Sequence, residues 1–163
     1  MKIAYLDRDG VINKKAEEHN YITKWKDFKF LDNGLYLLEN LIKLNYNIII
    51  VTNQQGIGKK IFTTANLEDI HNKMIESLKK RGIKIKKIYH CPHLIKDNCN
   101  CRKPEIGMLK KSLVDFPQIN KEKSILIGDS QTDLEAGLNF GINSFFFSDD
   151  ITMINQILSK LKN

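Results

Sequence analysis

The stretch Ile3-Ala4-Tyr5-Leu6-Asp7-Arg8-Asp9-Gly10 decides how the rest of the chain is read. An apolar run ends abruptly on two carboxylates spaced two apart, and a glycine follows. Side chains just past a strand's end project beyond the sheet edge, where open α/β sheets bind ligands. Residues two apart share a face of an extended chain, and a turn can swing them toward one centre. Two acids at one centre repel unless a cation lies between them or one is protonated. That points to a divalent metal and a phosphate, with one carboxylate as nucleophile. The same letters also suit a plain turn whose aspartates bond backbone amides. The rest of the chain has to decide.

Working outward, β-rich apolar runs recur at 2–6, 47–52, 86–90, 124–127 and 144–147. Amphipathic stretches at 34–44, 64–81, 105–115, 131–140 and 150–161 alternate with them and predict helices. In the first, Leu35, Leu38, Leu41, Ile42 and Leu44 fall on one broad face. The second opens at Thr63-Thr64, a capping pair, and closes before Gly82. The runs at 47–51 and 124–127 lack apolar/polar alternation, as strands buried on both faces do. The expectation is an α/β fold: a parallel sheet with helices on both faces, in one domain spanning 1–163. Segments 13–33 and 91–104 fit no element, and long loops in a small domain are often functional.

Composition excludes some classes. A chain of 163 residues can bury a full core without staples. No apolar run is long enough to span a bilayer, and residues 1–6 read as a strand rather than a leader, so no membrane partner and a cytoplasmic location are expected. The net charge of +7 raises the question of nucleic acid. Its basic residues are scattered, however (Lys79-Lys80-Arg81, Lys84, Lys86-Lys87, Lys110-Lys111), without interleaved aromatics, and read as a solvated surface. Such a field also draws small phosphorylated substrates. A monomer that binds no nucleic acid is expected. A basic zinc module on nucleic acid is the competing class, and it predicts steeply salt-dependent binding with no phosphate release.

Three more predicted strand ends carry polar residues suited to the same site. Thr52-Asn53-Gln54-Gln55-Gly56 offers a hydroxyl and amides to phosphate oxygens, and its glycine lets the backbone come close. Arg102-Lys103 places two cations together. Gly128-Asp129-Ser130-Gln131-Thr132-Asp133 brings a third acid, while Asp133 also suits a helix cap. Each alone fits a polar turn. Four in order, at four strand ends, do not fit chance.

All three cysteines lie in Cys91-Pro92-His93 and Cys99-Asn100-Cys101. Three thiols and an imidazole within eleven positions fit a closed tetrahedral zinc site, with Cys91, His93, Cys99 and Cys101 as ligands and His90 spare. Such a site leaves no open position and is structural; its task would be to fix the 91–101 loop and so place Arg102 and Lys103. The alternative is three ordinary thiols in a reducing compartment.

With these residues in view, the chain resembles the haloacid dehalogenase-like phosphatases over nearly its whole length. The resemblance implies aspartyl-phosphate chemistry. Asp7 would attack phosphorus, Asp9 would act as general acid and then base, and Thr52 and Lys103 would hold the phosphoryl group. Mg²⁺ would be held by Asp7, Asp129 and the Asp9 backbone carbonyl. The zinc loop running into Cys101-Arg102-Lys103-Pro104 looks like two capless branches, the D-glycero-D-manno-heptose 1,7-bisphosphate 7-phosphatases and the histidinol-phosphate phosphatases. Three segments favour the heptose branch: 19–34, Thr52-Asn53-Gln54-Gln55-Gly56-Ile57, and Lys103-Pro104-Glu105-Ile106-Gly107-Met108. On that resemblance Tyr21, Asn53, Gln54, Gln55, Arg102 and Ser130 would contact a sugar phosphate in nucleotide-activated heptose synthesis. The chain departs from the branch pattern at Val11, Gln55, Ile106 and Ser130, where threonine, serine, proline and, in some members, lysine stand.

Overall fold

In the computed structural model, residues 1–17 and 20–162 are described; His19, part of the 19–34 segment above, lies outside them. Five strands, β1 (Ile3–Leu6), β2 (Asn47–Asn53), β3 (Ile85–Cys91), β4 (Ile125–Gly128) and β5 (Asn143–Phe146), form a wholly parallel sheet. Its order is β3-β2-β1-β4-β5. The chain therefore builds outward from β1 in one direction, then returns to build in the other. The crevice at such a reversal, beyond the carboxyl ends of the two central strands, is where open α/β sheets take ligands. Here those strands are β1 and β4.

Helices α1 (Asp32–Lys43), α2 (Thr64–Lys80), α3 (Gly107–Asp115), α4 (Gln131–Phe140) and α5 (Ile151–Lys162) complete the alternation. Thr63 and Asn66 form a reciprocal cap at the start of α2, which satisfies otherwise unpaired backbone donors. Gly141, at φ 76°, ends α4 in the left-handed conformation that glycine adopts without penalty. The expected boundaries hold to within a residue or two. α3 starts at Gly107 instead of 105 because the Gly107 amide donates to the Asn100 carbonyl, tying this stretch to the preceding loop.

Alternate residues of each central strand enter different cores, as the pleat requires. Ala4, Leu6, Ile48, Ile50, Ile125 and Ile127 pack with α1, α2 and α5. Ile3, Tyr5, Ile49, Val51 and Leu126 pack with Met108 and Leu109 of α3 and Ala136 and Phe140 of α4. Both faces being covered explains why the central strands read as unbroken apolar runs. The 13–33 segment is tied down more firmly than its sequence suggested. Asn13 bridges to Phe30, a short 3-10 turn covers Trp25–Asp27, and Trp25 stacks on Phe28 with centroids 4.9 Å apart. Among the described residues no helix is long and apolar enough to cross a membrane.

Candidate active site

Asp7 leaves β1 with its amide still donating to the Ile127 carbonyl of β4 at 3.1 Å, so the sheet ladder fixes where its side chain starts. Gly10 follows at φ 88° and lies against the Asp129 side chain; a Cβ there would overlap that carboxylate. Glycine is thus required twice over, by conformation and by space. Gly128 is equally constrained, since a Cβ would overlap the Asp133 carboxyl. The turn after β1 and the start of α4 are thereby packed into a single cleft of about 230 Å³. Asp7, Asp9, Thr52, Lys103 and Asp129 line it, with Tyr21, Asn53, Gln54, Arg102 and Ser130 around them.

Lys103 is the charge at the centre of the cleft. It is 3% exposed, and its Nζ lies 3.1 Å from Asp7 Oδ1, 2.6 Å from Asp133 Oδ1 and 2.7 Å from the Val51 carbonyl. Burial works to lower its basicity, but the two carboxylates outweigh it and hold the ammonium charged. Asp7 is pushed up to about 6 by burial, with Lys103 pulling it down and Asp133, Asp9 and Asp129 adding repulsion. It remains mostly ionised at neutral pH and is a competent nucleophile there. Oxygens of Asp7, Asp129 and Asp133 lie within 4.8 Å of one another, and Asp129 Oδ1 is buried with no hydrogen-bond partner. A buried, unpaired carboxylate oxygen is costly. A hard cation bound by oxygen ligands fits this donor set. The other Asp129 oxygen takes a 2.7 Å bond from Lys15.

Asp9 sits in a different field. Arg8 Nη2 donates to both its oxygens at 2.8 Å, Asn13 Nδ2 to Oδ1 at 2.9 Å and Gln54 Nε2 to Oδ2 at 2.8 Å. Burial works to raise Asp9, but Arg8 and these hydrogen bonds outweigh it and hold the carboxyl below its ordinary range. One strand end therefore carries two acids with opposite shifts.

The second cluster lies at the end of β3 and on the loop after it. Cys91 Sγ is 3.0 Å from Cys101 Sγ and 3.5 Å from both Cys99 Sγ and His93 Nδ1. His93 Nδ1 is 3.2 Å from Cys101 Sγ, and the remaining sulfur pair is 3.6 Å apart. These are the edges of a compact tetrahedron, and the donor set suits zinc. Cys101 precedes Arg102 and Lys103 directly, so the cluster anchors the segment that carries both cations.

Several residues expected to meet substrate are occupied by the protein itself. Asn53 accepts from the Lys103 amide at 3.0 Å and donates to its carbonyl at 3.1 Å, clamping that backbone. Gln54, 3% exposed, bridges Asp9 and Thr52. Ser130 donates to Asp133 as the cap of α4. Gln55 is not among the residues that line the cleft, though Asn53 and Gln54 before it are. Arg102 and Tyr21 do line it, with the Tyr21 ring beside Phe62. Asp133, buried behind the cleft, pairs with Lys103 as well as capping α4; Arg8 and Asn13 hold Asp9 from beneath, and Lys15 lines the cleft, three residues that the sequence reading leaves without a role. The pattern Gly-Asp-x-x-x-Asp already marks Asp133 in the sequence. Nothing local could have flagged Lys15.

Residues 2–153 match the protein family described as polynucleotide kinase 3 phosphatase. The chain is 37% identical over 162 residues to a D-glycero-alpha-D-manno-heptose-1,7-bisphosphate 7-phosphatase of Campylobacter jejuni, covering 99% of this chain and 91% of that one. It is 31% identical over 164 residues to the histidine biosynthesis bifunctional protein HisB of the same species, covering 46% of that longer protein. The crystal structure of D,D-heptose 1,7-bisphosphate phosphatase from B. bronchiseptica, complexed with magnesium and phosphate, superposes with a TM-score of 0.82. That match is 29% identical and covers 96% of this chain and 87% of that one.

Proposed function

This chain belongs to the polynucleotide kinase 3 phosphatase family, among the heptose-bisphosphate phosphatases of the haloacid dehalogenase superfamily, and from that premise we propose its reaction. It hydrolyses the 7-phosphate of D-glycero-D-manno-heptose 1,7-bisphosphate through an aspartyl-phosphate. The observation that carries this reading is the meeting of Asp7, Asp9, Thr52 and Asp129 with the buried Lys103 in one cleft, Lys103 Nζ lying 3.1 Å from Asp7 Oδ1.

Asp7, ionised at neutral pH, attacks phosphorus; the new bond is carboxylate oxygen to phosphorus, and the bond to the sugar oxygen breaks. Asp9 gives its proton to that leaving oxygen. It takes the proton up beforehand because a phosphate dianion in the cleft raises its pKa against the hold of Arg8. In the second half, Asp9 removes a proton from water as the water attacks phosphorus, and inorganic phosphate leaves Asp7 free. Lys103 and Thr52 hold the phosphoryl oxygens. Asp7, Asp129 and the Asp9 carbonyl would hold Mg²⁺, which supplies charge neutralisation at the transferring group. Zn²⁺ on Cys91, His93, Cys99 and Cys101 would be structural. Arg102, at the mouth, takes the sugar or its distal phosphate. The chain works as one domain, as a cytoplasmic monomer, without nucleic acid.

The test is phosphate release with Mg²⁺ from both anomers of the heptose bisphosphate, beside histidinol phosphate. Preference for a heptose anomer is the expected result. Preference for histidinol phosphate would overturn the substrate while keeping the chemistry. Release from none of them would overturn the reading.

A further inference from the structure

Arg8 is the largest fully buried side chain among the described residues, 1% exposed, and it lies between the two catalytic carboxylates in sequence. Its guanidinium faces two ways. Nη2 reaches both oxygens of Asp9 at 2.8 Å, and Nε reaches Oδ1 at 3.3 Å. Nη1, on the far edge, lies 3.1 Å from Nε2 of His71. Arginine has only donors, so Nε2 is the acceptor and the ring proton sits on Nδ1. His71 is 63 residues away in sequence, on the inward face of α2 with Leu67, Ile70, Met74 and Leu78. It is 7% exposed. Burial, then the Arg8 charge, then His90 push its basicity down to about 3, which keeps the Nε2 lone pair available.

We infer that His71 is a positioning residue for Asp9, acting through Arg8. A planar guanidinium is held most firmly when both of its edges are bonded. Asp9 holds one edge and His71 the other. Without an acceptor at Nη1, a buried charged donor is left unpaired and turns toward whatever acceptor it can reach. Turning it would shift the two Nη2 bonds that set the angle of the Asp9 carboxyl. Proton transfer is sensitive to such displacements, since a misplacement of about 1 Å can cost on the order of 10²-fold. Histidine serves here because its acceptor is rigidly placed by the helix and stays uncharged beside a cation.

This inference rests on Asp9 being the general acid of the proposed reaction, and the test separates the two. The quantity kcat/KM covers steps through departure of the leaving group. A sugar alkoxide needs a proton to leave, whereas nitrophenolate does not. His71→Leu should lower kcat/KM for the sugar phosphate by about 10- to 100-fold, with the loss in kcat rather than KM, yet change 4-nitrophenyl phosphate by less than about threefold. His71→Gln, whose amide oxygen can take the place of Nε2, should restore the sugar phosphate rate. If the leucine variant does not fold, His71→Asn, too short to reach Nη1, takes its place. Equal losses on both esters, or a folded Gln variant that fails to restore the rate, would overturn the role of His71. Asp9→Asn is run alongside. If it too falls equally on both esters, the general-acid reading itself is wrong, and this inference goes with it.

Discussion

Asp7, Asp129 and Asp133 leave strand ends or the first turn of a helix, so the sheet places them before any ion arrives. Cys91, His93, Cys99 and Cys101 have only one foot on the sheet, at the end of β3; the rest lie on a loop whose Ile95 is 71% exposed and which meets the core through the partly buried Cys99 and Cys101. The first cluster is made by the fold. The second makes a piece of the fold. On our reading the two ions differ accordingly: one adds charge to a site already built, the other ties the loop together.

The sharpest way to break that contrast is at the nucleophile. Asp7→Asn should cut turnover by about 10³-fold or more. Its thermal midpoint should hold or rise, since a buried acid pushed up to about 6 is a cost to the fold. An active Asp7→Asn enzyme, measured by phosphate release, would remove the assignment. Metal depletion comes next. Stripping Mg²⁺ should abolish activity with little change in melting. Replacing Cys101 by serine should lower the melting midpoint by several degrees and reduce activity through Arg102 and Lys103. Calorimetry beside zinc stoichiometry reads both effects, and equal melting shifts for the two ions would erase the distinction.

Two smaller effects sharpen it further. Asn53→Ala removes both bonds to the Lys103 backbone and should cost about 1–3 kcal/mol in denaturant unfolding. If the loop alone placed Lys103, activity would be untouched; we expect a fall of about tenfold. The smallest effect concerns pH. His71 is depressed to about 3 in the folded protein, so between the unfolded value of 6.5 and that point the unfolded chain binds the extra proton. Stability should therefore decline as pH is lowered from 6.5 toward 3, by at most about 1.4 kcal/mol per pH unit from this group. His71→Gln should flatten the slope in urea titrations at stepped pH.

The sheet was legible because its central strands announce burial on both faces, and Gly82 and Thr63 punctuate the second helix. The strand-end residues were legible because β/α alternation places them at one edge whatever the packing. What could not be read was which side chains the protein keeps for itself. Asn53 and Gln54 are polar residues at a strand end, as substrate contacts are, and only the approach of Lys103 and Asp9 from 50 and 45 residues away shows that they are engaged. Arg8 was quoted in the first motif but had no role, because its partner His71 sits on a helix whose periodicity marks it merely as inward-facing. The resemblance puts Gln55 in the pocket with Gln54, yet only Gln54 lines the cleft.

Asp7 and Asp129 follow strands that are hydrogen-bonded neighbours, β1 and β4, with Ala4 opposite Ile125 and Leu6 opposite Ile127. Adjacent strands lie about 4.8 Å apart in any sheet. The separation of these two acids is therefore inherited from the peptide backbone and not from the side chains around them. Loops 13–33 and 91–104 can change length, charge and shape without altering that spacing. A lineage can explore new substrates through its loops while the reacting distance stays where the hydrogen-bond ladder put it.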